Sequence, residues 1–145
     1  MTRDELHDTF TDQGKLGTLW IGDMWIADNT YRQLSEPFIA DAFSTALRAW
    51  LVTFNNETWQ SESWDCDDYA MEATMLMRRL HKATPGSKGT APAFGFIWYE
   101  SGTRGLHAIN FAICGKRKVV YYEPQLQRIV QLTDAEKQSI EFVYV

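Results

Sequence analysis

Cys66 sits inside the acidic string Trp64-Asp65-Cys66-Asp67-Asp68-Tyr69-Ala70, where an amphipathic helix should begin. His107 follows on a predicted strand, and Glu123 lies on the next. A thiol at a helix start, an imidazole and a carboxylate, in that order, supply a nucleophile, its base and the group that orients the base. The chemistry open to this set is acyl transfer through sulfur. His107 takes the Cys66 proton, the sulfur attacks an amide carbonyl, and water resolves the acyl-enzyme. The expectation is a thiol-dependent hydrolase, a cysteine peptidase or amidase.

The setting of the thiol is not simple. A helix N-terminus and a nearby imidazolium favour a thiolate. Asp65, Asp67 and Asp68 oppose it unless they turn outward, cap backbone amides or bind a cation. The partner assignment is equally conditional. His107 shares a strand face with Ile109, Phe111 and Ile113, whereas Asn110 points oppositely. If Cys114 paired with Val119, Glu123 would lie opposite Asn110 and face away from His107. A three-residue loop or a bulge near Gly115 shifts the register by one and brings the acid to the histidine's face.

The elements that must hold these residues divide into a helical first half and a strand-rich second half. Ser35, Glu36 and Pro37 read as a helix start, and apolar residues recur from Phe38 to Leu51 at helical spacing, ending near Phe54. Asn55 to Thr58 reads as a connecting loop. A second helix is predicted from about Cys66 to His81, with Asp65 as its cap and Arg78, Arg79, His81 and Lys82 in its last turn. Cys66, Ala70, Ala73, Met77 and Leu80 share its buried face.

Five strands are predicted at 93–100, 106–114, 118–123, 128–132 and 141–145, with hairpin turns at Ser101 to Gly105 and at Gly115. The fold expected is α+β, with helices packed on one face of a mainly antiparallel sheet. Residues 14–34, with Gly14, Gly17, Gly22, Trp20, Trp25 and Tyr31, give no clean period.

The 145 residues suit one domain, residues 1–145, with residues 1–13 flexible. Hydrophobic residues make up 45% and aromatic residues 14% of the chain, enough for a core. The net charge of -5 argues against a nucleic-acid partner, which requires clustered Lys and Arg. Lys116-Arg117-Lys118 reads as a solvated turn. The acidic N-terminus lacks the apolar core of a signal peptide, and no run of about 18 apolar residues suggests a membrane span, so a cytoplasmic protein is expected. Cys114 reads as a buried packing residue.

Three segments together resemble a known family. Asp65-Cys66-Asp67-Asp68-Tyr69-Ala70 leading a helix, Leu106-His107-Ala108 starting a strand and Tyr122-Glu123-Pro124-Gln125 ending the next are similar to the core of transglutaminase-like cysteine peptidases in the papain superfamily. The nearest likeness is to the papain-like peptidase domain at the C-terminus of certain fungal agglutinins. The resemblance covers Trp59 to Gln125. It implies a papain/transglutaminase-like core with Cys66 as nucleophile, His107 as general base and Glu123 as orienting acid. It also implies Gln60 as an oxyanion donor beside the Cys66 amide, with Trp59 lining the cleft. Activation by calcium or manganese is a further implication, for which Asp65, Asp67, Asp68 and Asn110 are suitable oxygen donors. The chain departs from the family in having Glu123-Pro124 where most members have Asp-Pro, and Asp65 where glycine is common.

The expected partner is a protein or peptide substrate. The alternatives are acyl transfer to an amine, as in transglutaminases, and a binding module that keeps the fold and uses a Trp-rich cleft to hold a partner. A cell-wall amidase also uses Cys and His, but no export signal or wall-binding repeat accompanies them.

Overall fold

The computed structural model describes residues 1–14, 24–53, 58, 60 and 64–145. Trp20, Gly17, Gly22 and Trp59 lie outside them, as do 55–57 of the expected loop. Helix α1 spans Arg3–Gly14. Short strands β1 (Met24–Trp25) and β2 (Tyr31–Arg32) follow. The first predicted helix forms as α2 (Glu36–Phe38), a wider π turn over Ile39–Phe43 and α3 (Ser44–Thr53). Ser35 caps its start by accepting from the Phe38 amide at 3.4 Å.

Helix α4 spans Cys66–Ala83. The strands β3 (Ala91–Pro92), β4 (Phe94–Ser101), β5 (Gly105–Cys114), β6 (Lys118–Glu123) and β7 (Arg128–Val130) lead to a capped helical turn α5 (Asp134–Gln138) and β8 (Phe142–Tyr144).

The main sheet has the order β1-β8-β4-β5-β6-β7. Its pairs are antiparallel except β1 with β8. The five predicted strands are all present, and β1, too short for any period, makes the sixth. A separate parallel pair joins β2 to β3.

Helices cover both faces of this sheet, which corrects the expectation of one covered face. Odd-numbered residues of the central strands, Ile97, Ile109, Phe111, Ile113 and Tyr121, pack with Leu6 and Phe10 of α1. Even-numbered residues, Phe94, Ala112, Val120 and Tyr122, pack with Ile39, Phe43, Leu47 and Met77 of the other helices. A strand buried on both sides reads as a near-continuous apolar run, and β5 from His107 to Cys114 is buried throughout. Leu6 and Phe10 are fully buried, with Phe10 4.6 Å from Phe111 between ring centroids. The acidic composition of residues 1–13 conceals this pair, because only one face of α1, carrying Leu6, Thr9 and Phe10, is buried.

Candidate functional site

Asp65 precedes α4 in extended conformation, and Asp68 turns back so that its Oδ2 accepts the Asp65 amide proton at 3.1 Å. This local exchange satisfies a donor that the first turn leaves open. It starts the helix at Cys66, whose thiol is free and half-buried. Tyr69, Ala70 and Ala73 are buried behind it, so the sulfur is held at the rim of the helix–sheet interface.

The β5–β6 turn decides where the acid goes. Cys114 pairs with Lys118, leaving Gly115, Lys116 and Arg117 as a three-residue turn in which Lys116 and Arg117 both take φ of 60°. Asn110 consequently pairs with Tyr122, and Glu123 moves to the face of His107. Nε2 of His107 lies 2.8 Å from Oε2 of Glu123, and both side chains are buried. The structure therefore brings Cys66, His107 and Glu123 together. Burial works against charge on His107, but contacts with Cys66 and Glu123 outweigh it and push the ring up to about 9. At neutral pH the ring is an imidazolium and donates to Glu123.

Arg104 completes this cluster, and the sequence reading missed it. It stands in the β4–β5 turn, where Ser101 pairs with Gly105 and Gly105 adopts φ of 73°. Its Nη1 donates to Glu123 Oε2 at 3.2 Å and to Gln125 Oε1 at 3.3 Å. The same nitrogen lies 3.2 Å from His107 Nε2. With the ring protonated, these are two donors sharing one acceptor. The available signal was the hairpin itself, which sets residue 104 beside the start of the strand that carries His107.

A cavity of about 490 Å³ opens over the thiol, lined by Cys66, His107, Asp65, Asp67, Trp98 and Leu106. Trp98 and Leu106 remain 37% and 53% exposed, so the cleft offers an apolar wall to solvent. Trp98 is held by Phe142 at 5.5 Å, and Phe96 and Tyr144 extend the same aromatic surface. The opposite wall is acidic. Asp67 is pushed up to about 6, first by the hydrogen bond that its protonated carboxyl donates to Asp65, then by burial and by the charges of Asp65 and Asp68.

Of the residues proposed as metal donors, Asp65 and Asp67 come together, with ligand atoms and the Cys66 sulfur within 4.8 Å of one another. Asp68 is committed to the helix start. Asn110 is fully buried, and its Nδ2 donates to Ala70 O, Thr74 Oγ1 and Gly95 O at 2.8 to 3.0 Å, so it ties α4 to the sheet and does not line the cleft over Cys66. Two carboxylates alone fall short of the six to eight oxygens that calcium takes. Gln60 is exposed and exchanges backbone hydrogen bonds with Trp64 at 2.7 and 2.8 Å, outside the described lining of the cleft. Trp59 lies outside the described residues.

No family model matches the chain, and no curated protein matches it. Solved structures do. Polyporus squamosus lectin bound to the human-type influenza-binding epitope Neu5Aca2-6Galb1-4GlcNAc aligns with a TM-score of 0.72 and 21% identity, over 100% of this chain and 49% of that one. The fold is shared with that lectin. A second structure, the PSL1a-E64 complex, aligns with a TM-score of 0.70 and 22% identity, over 100% of this chain and 50% of the other. The chain thus spans about half the length of these structures, and at such identities the likeness carries the fold alone.

This comparison corrects the expectation of a transglutaminase-like or papain-like peptidase. The matched structures are of a lectin, and a papain-like core is not shown. The readings as a cysteine hydrolase, as an enzyme and as a binder of peptide substrates are corrected to a fold shared with a lectin, a likeness that names no reaction. The physical reason is that fold and residue order constrain how side chains meet, whereas function belongs to the particular site. The mixed α+β class and the mainly antiparallel sheet stand. Among the described residues no helix is long and apolar enough to cross a membrane.

Proposed function

We propose that the chain is a ligand-binding module and that the cleft over Cys66, His107 and Glu123 is its binding site, with a carbohydrate as the ligand class. One observation carries this reading: Trp98 presents an aromatic wall to the cleft while Asp65 and Asp67 line it with carboxylates. A sugar ring has an apolar C–H face suited to an aromatic wall and hydroxyl donors suited to carboxylates, the mixture that shapes small-ligand sites. The lectin neighbour, bound to a sialylated epitope, supports the choice of ligand. Titration with that trisaccharide and its desialylated form, followed by tryptophan fluorescence, tests it. Saturable binding that Trp98→Ala weakens by about ten-fold or more is expected, from the loss of one aromatic anchor. Binding that is absent, or indifferent to Trp98→Ala and Asp67→Asn, rejects the reading.

The ordering of Cys66 by His107 and Glu123 favours a second reading of the same cleft, in which a ligand is held through the sulfur. E64 is the first probe, because PSL1a is in complex with it. Intact mass after exposure to E64 should show one adduct in the wild type and none in Cys66→Ala. Cys114 should stay unmodified, since burial pushes its thiol up to about 11. An unmodified wild type removes this reading and leaves the first.

A further inference from the structure

We propose that the ligand is a sugar chain longer than the cleft, and that a row of aromatic rings running from the cleft to the edge of the sheet is a second subsite, for an uncharged sugar ring. This rests on the cleft being a carbohydrate site and extends that site along the sheet.

Strand register puts the row on one face. Trp98 pairs with Phe142, Phe96 with Tyr144, and Tyr144 with Trp25, so β4, β8 and β1 turn aromatic side chains to the same side. It is the side on which α4 packs against β4 and β5. Val143, between Phe142 and Tyr144 in β8, is fully buried on the opposite side. A strand face that meets water ordinarily carries polar residues. Here Trp25 is 64% exposed at the open edge, Trp98 is 37% exposed at the cleft, and Phe142 and Tyr144 are half-buried.

Cross-strand pairing accounts for part of this arrangement. Trp98 with Phe142, 5.5 Å apart between ring centroids, and Phe96 with Tyr144, 5.4 Å apart, are facing pairs of the kind that stabilise a sheet. Trp25 is different. Its register partner is Tyr144, yet its ring centroid lies 6.3 Å from that of Phe142, two residues back along β8. The side chain therefore leans along the sheet toward the cleft while most of its surface stays in water. Trp98, Phe142 and Trp25 thus form one continuous row across three strands, beginning at a residue that lines the cleft. Contiguous exposed apolar surface of this kind marks a binding surface.

Shape and chemistry point to the occupant. The row is one ring wide, with Phe96 buried behind it, and suits a linear chain more than a broad protein surface. Each step between ring centroids is comparable with the length of one pyranose unit, and an aromatic face takes the C–H face of a sugar. Glu100 is exposed on the same strand face two residues beyond Trp98, and Asp67 shares the cleft with Trp98, so hydroxyl groups meet carboxylate acceptors at that end. The same carboxylates disfavour an acidic ring on the row.

The test is calorimetric titration with the trisaccharide Neu5Aca2-6Galb1-4GlcNAc and with that trisaccharide lengthened by one Galb1-4GlcNAc unit at its reducing end. The longer chain should bind about five-fold or more tightly, as for one added aromatic contact. Trp25→Ala should remove that gain and leave the affinity for the shorter chain unchanged, whereas Trp98→Ala should weaken both. Leu126→Ala, at an exposed apolar residue elsewhere, should change nothing. The wild-type comparison of the two chains decides the matter even where Trp25→Ala fails to fold. Equal affinity for the two chains, or a gain that survives Trp25→Ala, would overturn the subsite and leave the cleft as a carbohydrate site. Binding of neither chain would end both. A wild-type dimer that Trp25→Ala dissolves would give the row to a second copy of the chain and overturn the sugar subsite.

Discussion

Nε2 of His107 and Oε2 of Glu123 lie 2.8 Å apart across the β5–β6 pair, with only 5% and 6% of the side chains exposed. Together with the hydrogen bond between His107 and Cys66, this contact outweighs burial and makes stability depend on pH in a defined direction. The ring is held at about 9 in the folded chain against an ordinary value of 6.5. Its contribution is complete below about pH 6.5 and is lost as pH rises through about 9, since the folded state binds the proton more tightly. Thermal unfolding of the wild type should show this loss between those limits. In Glu123→Gln the slope should flatten, and an unchanged slope would show that Glu123 does not hold the proton.

Arg104 limits the same proton. Its guanidinium shares Glu123 Oε2 with the imidazolium and stands 3.2 Å from Nε2, a repulsive contact between like charges. Arg104→Met should therefore raise the His107 midpoint above about 9, read from the ring C–H shifts in an NMR titration. A lowered midpoint would mean that Arg104 chiefly orients Glu123.

The paired aspartates behave in the opposite sense. Asp67 is pushed up to about 6 from 3.8, chiefly by the hydrogen bond its protonated carboxyl donates to Asp65, so the folded chain loses stability as pH rises from about 4 through about 6. Asp67→Asn should remove that descent and raise the melting temperature at pH 7. The comparison of wild type and variant at pH 4 and pH 7 isolates the effect, and an identical pH profile would sink it.

Gly95 marks a place where β4 and β8 meet too closely for a side chain. A Cβ there would fall 1.8 Å from the Tyr144 carbonyl oxygen, which is backbone and has no rotamer to give. Gly95→Ala should cost about 3 kcal/mol or more, the upper range for overpacking, and should free the β8 amides to exchange. Denaturant melts and hydrogen exchange measure both effects, and a loss under about 1 kcal/mol would contradict the close approach.

Phe10→Ala should cost about 3–5 kcal/mol, as for a buried ring that leaves a cavity. The ring is fully buried against Phe111, so α1 contributes to the core under the sheet. Urea melts give the number, and a loss near zero would show that α1 is dispensable.

Periodicity made α4 legible, and runs of apolar, aromatic and β-branched residues between turn signals marked β4, β5 and β6 as well as the three-residue β7 and β8. Leu6 and Phe10 carried no such signal, being two apolar residues in an acidic turn. The two-residue β1 was too short to show one. Cys66, His107 and Glu123 were legible as residue types in order, and the Gly115 register that joins them was legible as a condition. Arg104 was not, since a charged residue in a turn normally means only solvent. The place of Asn110 was not legible either, since an amide is as suited to a helix–sheet tie as to a cation and only the fold shows it buried between α4 and the sheet. Hydrolysis was read from an order of side chains, which fixes who meets whom and leaves the ligand open.

The three-residue turn at Gly115–Arg117 makes the cleft sensitive to length as well as to identity. Deleting one turn residue and re-forming a three-residue turn would pair Cys114 with Val119, leaving Cys66, His107 and Glu123 unchanged in the sequence yet delivering the carboxylate to the opposite side of the sheet. For any related chain, an alignment that matches those three residues but gains or loses one position in this turn therefore describes a different cleft.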